Sequence, residues 1–141
     1  IGVRLVGSEM CIRDRYILGK KRAIKETLMD QSFVSGLGNI YTNEILFFSK
    51  IKPTKKSKDL LDADIKKVIK FTKKILFKAI KLGGSSIKDF SSDNGKKGLF
   101  QQHFSVYGRK GEKCFNKTCN SNIIKIVIAN RSSFYCPKCQ K

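Results

Sequence analysis

Four cysteines constrain this chain more than any other feature. Four residues separate Cys114 from Cys119, two separate Cys136 from Cys139, and sixteen lie between the pairs. Those sixteen hold one β-branched run, IIKIVI, then an Asn-Arg turn, then SSFY. The pattern predicts a β-hairpin with a cysteine pair at each end. Each short loop brings two sulfurs close together, and the hairpin brings the two loops together. A tetrahedral four-thiolate zinc site needs that arrangement. Cys114, Cys119, Cys136 and Cys139 are therefore expected to hold one structural Zn2+. Two disulfides are the competing use, and they belong to oxidising compartments. No stretch of the sequence has the pattern of a secretory signal, so zinc is the expectation. His103, the one histidine, lies eleven residues before Cys114. With four cysteines filling the site, it is not expected to be a ligand.

A length of 141 residues allows one domain, or one helical body with a small satellite. Lys and Arg number 30 against 11 Asp and Glu, for a formal net charge of +19. Such an excess points to a polyanionic partner, and nucleic acid is the natural one for a soluble chain. Compositional drift accounts for the preference of Lys over Arg but not for the shortage of acids. No apolar run approaches the roughly 20 residues of a membrane span, so no membrane role and a cytoplasmic location are expected.

Along the chain, residues 1–16 stand apart, with three of the six arginines, no lysine and the odd cysteine, Cys11. The string VGSEMCIRDR resembles translated sequencing-adapter read-through, so residues 1–16 are expected to be foreign to the fold. KKRAIKETLMDQ, Lys20 to Gln31, predicts a short helix with Ile24, Leu28 and Met29 on one face. The glycines of SFVSGLGN then break it, and a second helix starts near Asn39. Ile40, Tyr41, Ile45 and Phe48 form its apolar side, and Pro53 is expected to stop it. A third helix, Asp62 to Lys81, has Ile65, Val68, Ile69, Ile75, Leu76, Ala79 and Ile80 on one side and lysines elsewhere. A helix start after a glycine turn presents free N–H groups that suit phosphate. The Gly-, Ser- and Asp-rich loop 83–98 is long enough to be either a binding loop or a plain linker.

LMDQSFVSGLGNIYTNEILF, GGSSIKDF, and VYGRKGEKC with RSSFYCPKCQK follow one another in this order. Together they resemble the C-terminal half of the formamidopyrimidine-DNA glycosylases, over about residues 17–141. Endonuclease VIII relatives share the helices and the ribbon, but GGSSIKDF and the RSSFYCPKCQK ending favour the formamidopyrimidine branch. The resemblance implies a mainly α fold with a small β zinc ribbon. A helix-two-turns-helix domain, residues 17–103, carries a lesion-covering loop at 83–98, and a zinc-finger β-hairpin follows at 104–141.

By function, it implies a bacterial, nucleoid-associated base-excision enzyme, monomeric, acting on double-stranded DNA that carries an oxidised purine or an abasic site. In that family an N-terminal proline amine attacks the sugar of an extruded nucleotide, and β- and δ-elimination then cut the strand. The only prolines here are Pro53 and Pro137, so these residues alone are expected to lack the glycosylase step. Arg131 matches the family's phosphate-gripping arginine, also credited with proton donation in δ-elimination. Clamping is the safer role for a guanidinium that stays charged. Asn39 matches a phosphate-holding asparagine and would also serve as an N-cap. Lys21 and Lys25 match DNA-contacting basic positions, and Arg109 is expected to add a phosphate contact. A non-catalytic zinc ribbon that binds DNA or RNA, and a ribosome- or polymerase-associated ribbon, are the alternatives.

Overall fold

The computed structural model describes residues 21–29, 38–81 and 104–141. Residues 1–16, residues 83–98 that are expected to cover a lesion, and His103 lie outside them. Among the described residues three helices come first, α1 (Ile24–Leu28), α2 (Asn39–Phe48) and α3 (Asp62–Lys81), with a short 3-10 turn at Ser57–Asp59 before α3. A hairpin of β1 (Ile124–Ile128) and β2 (Arg131–Tyr135) follows.

Helix α1 is shorter than the sequence pattern suggests. Lys21 and Arg22 lie before it, and Ala23 pairs with Lys56 as an isolated bridge. The 53–57 loop ties this segment down: the Ile24 N–H donates to the Lys55 carbonyl at 2.7 Å and the Ser57 N–H to the Arg22 carbonyl at 3.0 Å. Ile24 and Leu28 are buried as expected.

Helix α2 starts after Gly38, an extended N-cap (φ −90, ψ 176), which makes Asn39 the first helical residue and not the cap. Its end comes before Pro53 has any say. Lys50 adopts φ 60, and the N–H groups of Lys50 and Ile51 donate back to Phe47 and Leu46 at 3.1 and 3.0 Å. That is a Schellman closure with lysine in the left-handed position glycine usually takes. Pro53 sits buried beyond it.

The apolar side of α2 also differs from the expectation. Phe48 is 40% exposed, whereas Leu46, Thr42, Asn43 and Glu44 are buried. Protein covers the helix on two sides. Ile45 and Leu46 face a helical core with Ile24, Leu28, Ile65, Val68 and Ile69. Phe47 packs against a second core made by Val106, Ile123, Phe134 and the cysteines.

Helix α3 follows its periodicity. Ile65, Val68 and Ile69 are buried, while Lys66, Lys67, Lys70, Lys73, Lys74 and Lys78 are exposed. Asp64 holds the Leu61 N–H at 3.0 Å, at the end of the helix where a carboxylate is favoured.

The hairpin is antiparallel, with Ile128 opposite Arg131 and Ile124 opposite Tyr135. Its turn is Ala129–Asn130, both at positive φ (50 and 64), which matches the right-handed twist of the strands. Arg131 is therefore the first residue of β2, not part of the turn.

Helix α2 and the ribbon are joined through buried polar groups. The Glu44 carboxylate accepts the backbone N–H groups of Ser105, Val106 and Tyr107 at 2.6, 2.9 and 3.1 Å. Burial pushes its carboxyl group up, and those amides pull it back. At the other end of α2, Gln140 donates to the Ile51 carbonyl at 2.9 Å and the Lys141 N–H to that of Lys50 at 3.1 Å.

Candidate metal centre and nucleic-acid interface

The four cysteine sulfurs converge within 4.8 Å of one another. Cys114 and Cys139 stand 3.8 Å apart, and Cys119 and Cys136 3.5 Å. A disulfide would need about 2.05 Å. Zn–S bonds of about 2.3 Å in a tetrahedron put sulfurs about 3.8 Å apart, so the donor set and the spacing both fit Zn2+. Two left-handed glycines, Gly108 (φ 75) and Gly111 (φ 84), shape the loop before Cys114. The Cys114 N–H donates to the Ser121 carbonyl at 3.0 Å and so closes the first knuckle. In the second knuckle the Cys139 N–H points at Cys136 Sγ, 3.4 Å away. Burial pushes the Cys136 thiol up, but the N–H groups of Cys139 and Lys138 and the neighbouring thiols outweigh it and bring the thiol down to about 7.

Arg109 belongs to this centre. Its Nη2 donates to the Lys113 carbonyl at 2.8 Å, its Nε to Glu112 at 3.2 Å, and another nitrogen to the Ser105 carbonyl. The guanidinium also lies 3.7 Å from the Phe115 ring centre. Arg109 staples the knuckle from within, and its side chain is only 14% exposed.

A second convergence lies where β2 meets the start of α2. Lys25 Nζ and Asn39 Nδ2 both donate to the Ser132 carbonyl, at 2.9 and 3.0 Å. Lys25 Nζ also donates to Ser133 Oγ. Residues 107 and 93 positions apart thus meet on one carbonyl beside Arg131. Arg131 is exposed, and its side chain has no hydrogen bond or ion pair to another described residue. Lys25 is 1% exposed. Its ammonium is held from within, as a strap on the hairpin. Desolvation, and then the Arg131 charge, bring Lys25 down to about 8.

Asn39 and Arg131 are brought together as neighbours of one peptide unit. Lys21 is exposed, outside this cluster. The sequence reading missed Asn43 and Glu44. The available signal was two polar residues inside NIYTNEILFF, at positions where a helix packed on one side only would need none.

The family model of the formamidopyrimidine-DNA glycosylase H2TH domain matches residues 9–91. This chain belongs to the formamidopyrimidine-DNA glycosylase family. The match begins inside the segment that composition sets apart.

Among relatives, the formamidopyrimidine-DNA glycosylase of Rickettsia bellii is 46% identical over 125 residues, covering 89% of this chain and 45% of that protein. The Mycoplasmopsis pulmonis enzyme is 48% identical over 122 residues, with 86% and 43% covered. The Lactococcus lactis Fpg in complex with abasic-site DNA superposes with a TM-score of 0.81 at 40% identity, covering 95% of this chain and 47% of that one. MutM in complex with DNA containing carbocyclic 8-oxo-G gives 0.78 at 38% identity, with 95% and 46% covered. The chain thus spans about half the length of the family members it matches.

Proposed function

We propose that this chain is the DNA-gripping part of a base-excision glycosylase and abasic-site lyase for oxidised purines. The observation that carries the reading is the cluster at Ser132. Lys25 and Arg131 bring two positive charges beside the first turn of α2, and among the described residues no carboxylate partners either one. The N–H groups at a helix start lack intrahelical partners, and Asn39, the first residue of α2, bonds the Ser132 carbonyl that Lys25 also holds. Two cations and a helix N-terminus together favour a phosphate group. Arg131 supplies the exposed fork, Lys25 supplies charge from behind, and Asn39 fixes the peptide between them. The family likeness supports reading that phosphate as one beside an extruded nucleotide. In the whole enzyme Arg131 would also serve the elimination step.

The proposed metal is one structural Zn2+ on Cys114, Cys119, Cys136 and Cys139. When bound, it supplies folding energy to the hairpin that carries Arg131, and no chemistry on the DNA. The chain is proposed to act as a monomer on duplex DNA in the bacterial cytoplasm, with Lys21 as an outlying phosphate contact.

The test is fluorescence anisotropy of the zinc-loaded chain with duplexes that either carry a tetrahydrofuran abasic-site analogue or are undamaged. Arg131→Ala should weaken binding to the abasic duplex by about ten-fold, the scale of one lost charge-assisted contact, with zinc content unchanged. An equal loss on both duplexes would favour a general nucleic-acid ribbon and contradict a lesion-facing role.

A further inference from the structure

We propose that Asn43, a residue the family likeness assigns no role, is the positioning residue that sets where Arg131 stands relative to the start of α2. The inference rests on the reading of Arg131 as a phosphate clamp.

The argument begins with the free edge of β2. In an antiparallel hairpin the backbone groups of alternate residues point away from the partner strand. With Ile128 opposite Arg131 across a two-residue turn, Ser132 and Phe134 are the residues that point outward. Their carbonyl and N–H flank Ser133 and face α2. Left unpaired in the interior, each would cost about 1–3 kcal/mol.

A side-chain amide is the neutral group that offers a donor and an acceptor side by side, as a strand peptide does. Asn43 uses it in that way. Its Oδ1 accepts the Phe134 N–H at 2.8 Å, and its Nδ2 donates to the Asn39 carbonyl at 2.7 Å. Asn39 in turn donates to the Ser132 carbonyl at 3.0 Å. The circuit closes through the backbone from Ser132 to Phe134, and Asn43 is 1% exposed. Both ends of the segment that follows Arg131 are thereby fixed to the first turn of α2. Without Asn43 the Phe134 N–H loses its tie, and β2 can pivot about the bonds that Lys25 and Asn39 keep to Ser132 and Ser133. Arg131, one residue further on, would move with it.

The experiment uses the zinc-loaded chain, a tetrahydrofuran-containing duplex and a salt titration. Asn43→Ala should weaken binding about ten-fold. It should also flatten the plot of log affinity against log salt by about 0.9, the share of one phosphate contact. Arg131→Ala should do the same, and the double variant should fall within about two-fold of Arg131→Ala alone, because both remove one contact. Zinc content and helical circular dichroism should stay those of the parent chain.

Wild-type affinity for Asn43→Ala, or losses that multiply in the double variant, would overturn the role of Asn43 while leaving the Arg131 clamp standing. Unchanged affinity for Arg131→Ala would remove the clamp and the inference together. If Asn43→Ala loses zinc, Asn43→Asp carries the test, since it still accepts from Phe134 but cannot donate to Asn39. Its loss should vanish on the Arg131→Ala background. A loss that persists there is charge repulsion, and it overturns the proposal.

Discussion

Lys25 carries a positive charge into the interior, and its partners are a carbonyl and a hydroxyl. Neither neutralises it, and Arg131 stands close enough to oppose it. Desolvation and that repulsion lower it from 10.5 to about 8. Between those two values the folded chain holds fewer protons than the unfolded chain, so this group makes stability rise with pH across that window. A phosphate placed there does the opposite and favours the charged form. Binding should therefore take up protons, and affinity for abasic-site DNA should fall as the pH is raised from about 7 to about 9, with the bend near 8. Lys25→Met should remove the bend. An identical pH profile in the variant would show that Lys25 does not face the bound anion.

Helix α2 shows how far sequence pattern reaches. The lysine-faced helix α3 and the hairpin were legible because each buries one side, which leaves a period of 3.6 or a run of β-branched residues. Helix α2 is covered on two sides by different material, apolar from α1 and α3 and polar from the ribbon. Its pattern misplaced Phe48 and gave no role to Asn43 or Glu44. Its end was misread for a related reason, because no residue type announces a lysine at φ 60. The four cysteines were legible from spacing alone. Lys25 and Arg109 were legible as cations, but burial and carbonyl partners are tertiary facts. The proposed zinc acts at the scale of the ribbon. Cys136 is fully buried in the ribbon core, and its loss leaves three thiolates where four are needed. Cys136→Ser should abolish zinc binding, melt the hairpin and lower DNA affinity at least ten-fold, while α3 stays helical. Full affinity with zinc lost would contradict a structural role for the metal.

Across the whole molecule, α2 is the shared wall of two small cores, one helical and one around the cysteines. Neither is large. Glu44, Asn43 and Gln140 bond the ribbon along the length of the helix, and so the proposed clamp at Ser132 depends on both halves being folded. No described helix is long and apolar enough to cross a membrane. The formal charge of +19 gives any duplex a reason to bind, so affinity alone cannot separate a lesion-facing grip from plain electrostatics. Preference can. The direct measurement is competition between abasic-site and undamaged duplexes of the same length for the zinc-loaded chain, at about physiological salt. The proposed grip predicts a several-fold preference for the abasic duplex that Arg131→Ala erases. Equal binding to both duplexes would contradict it.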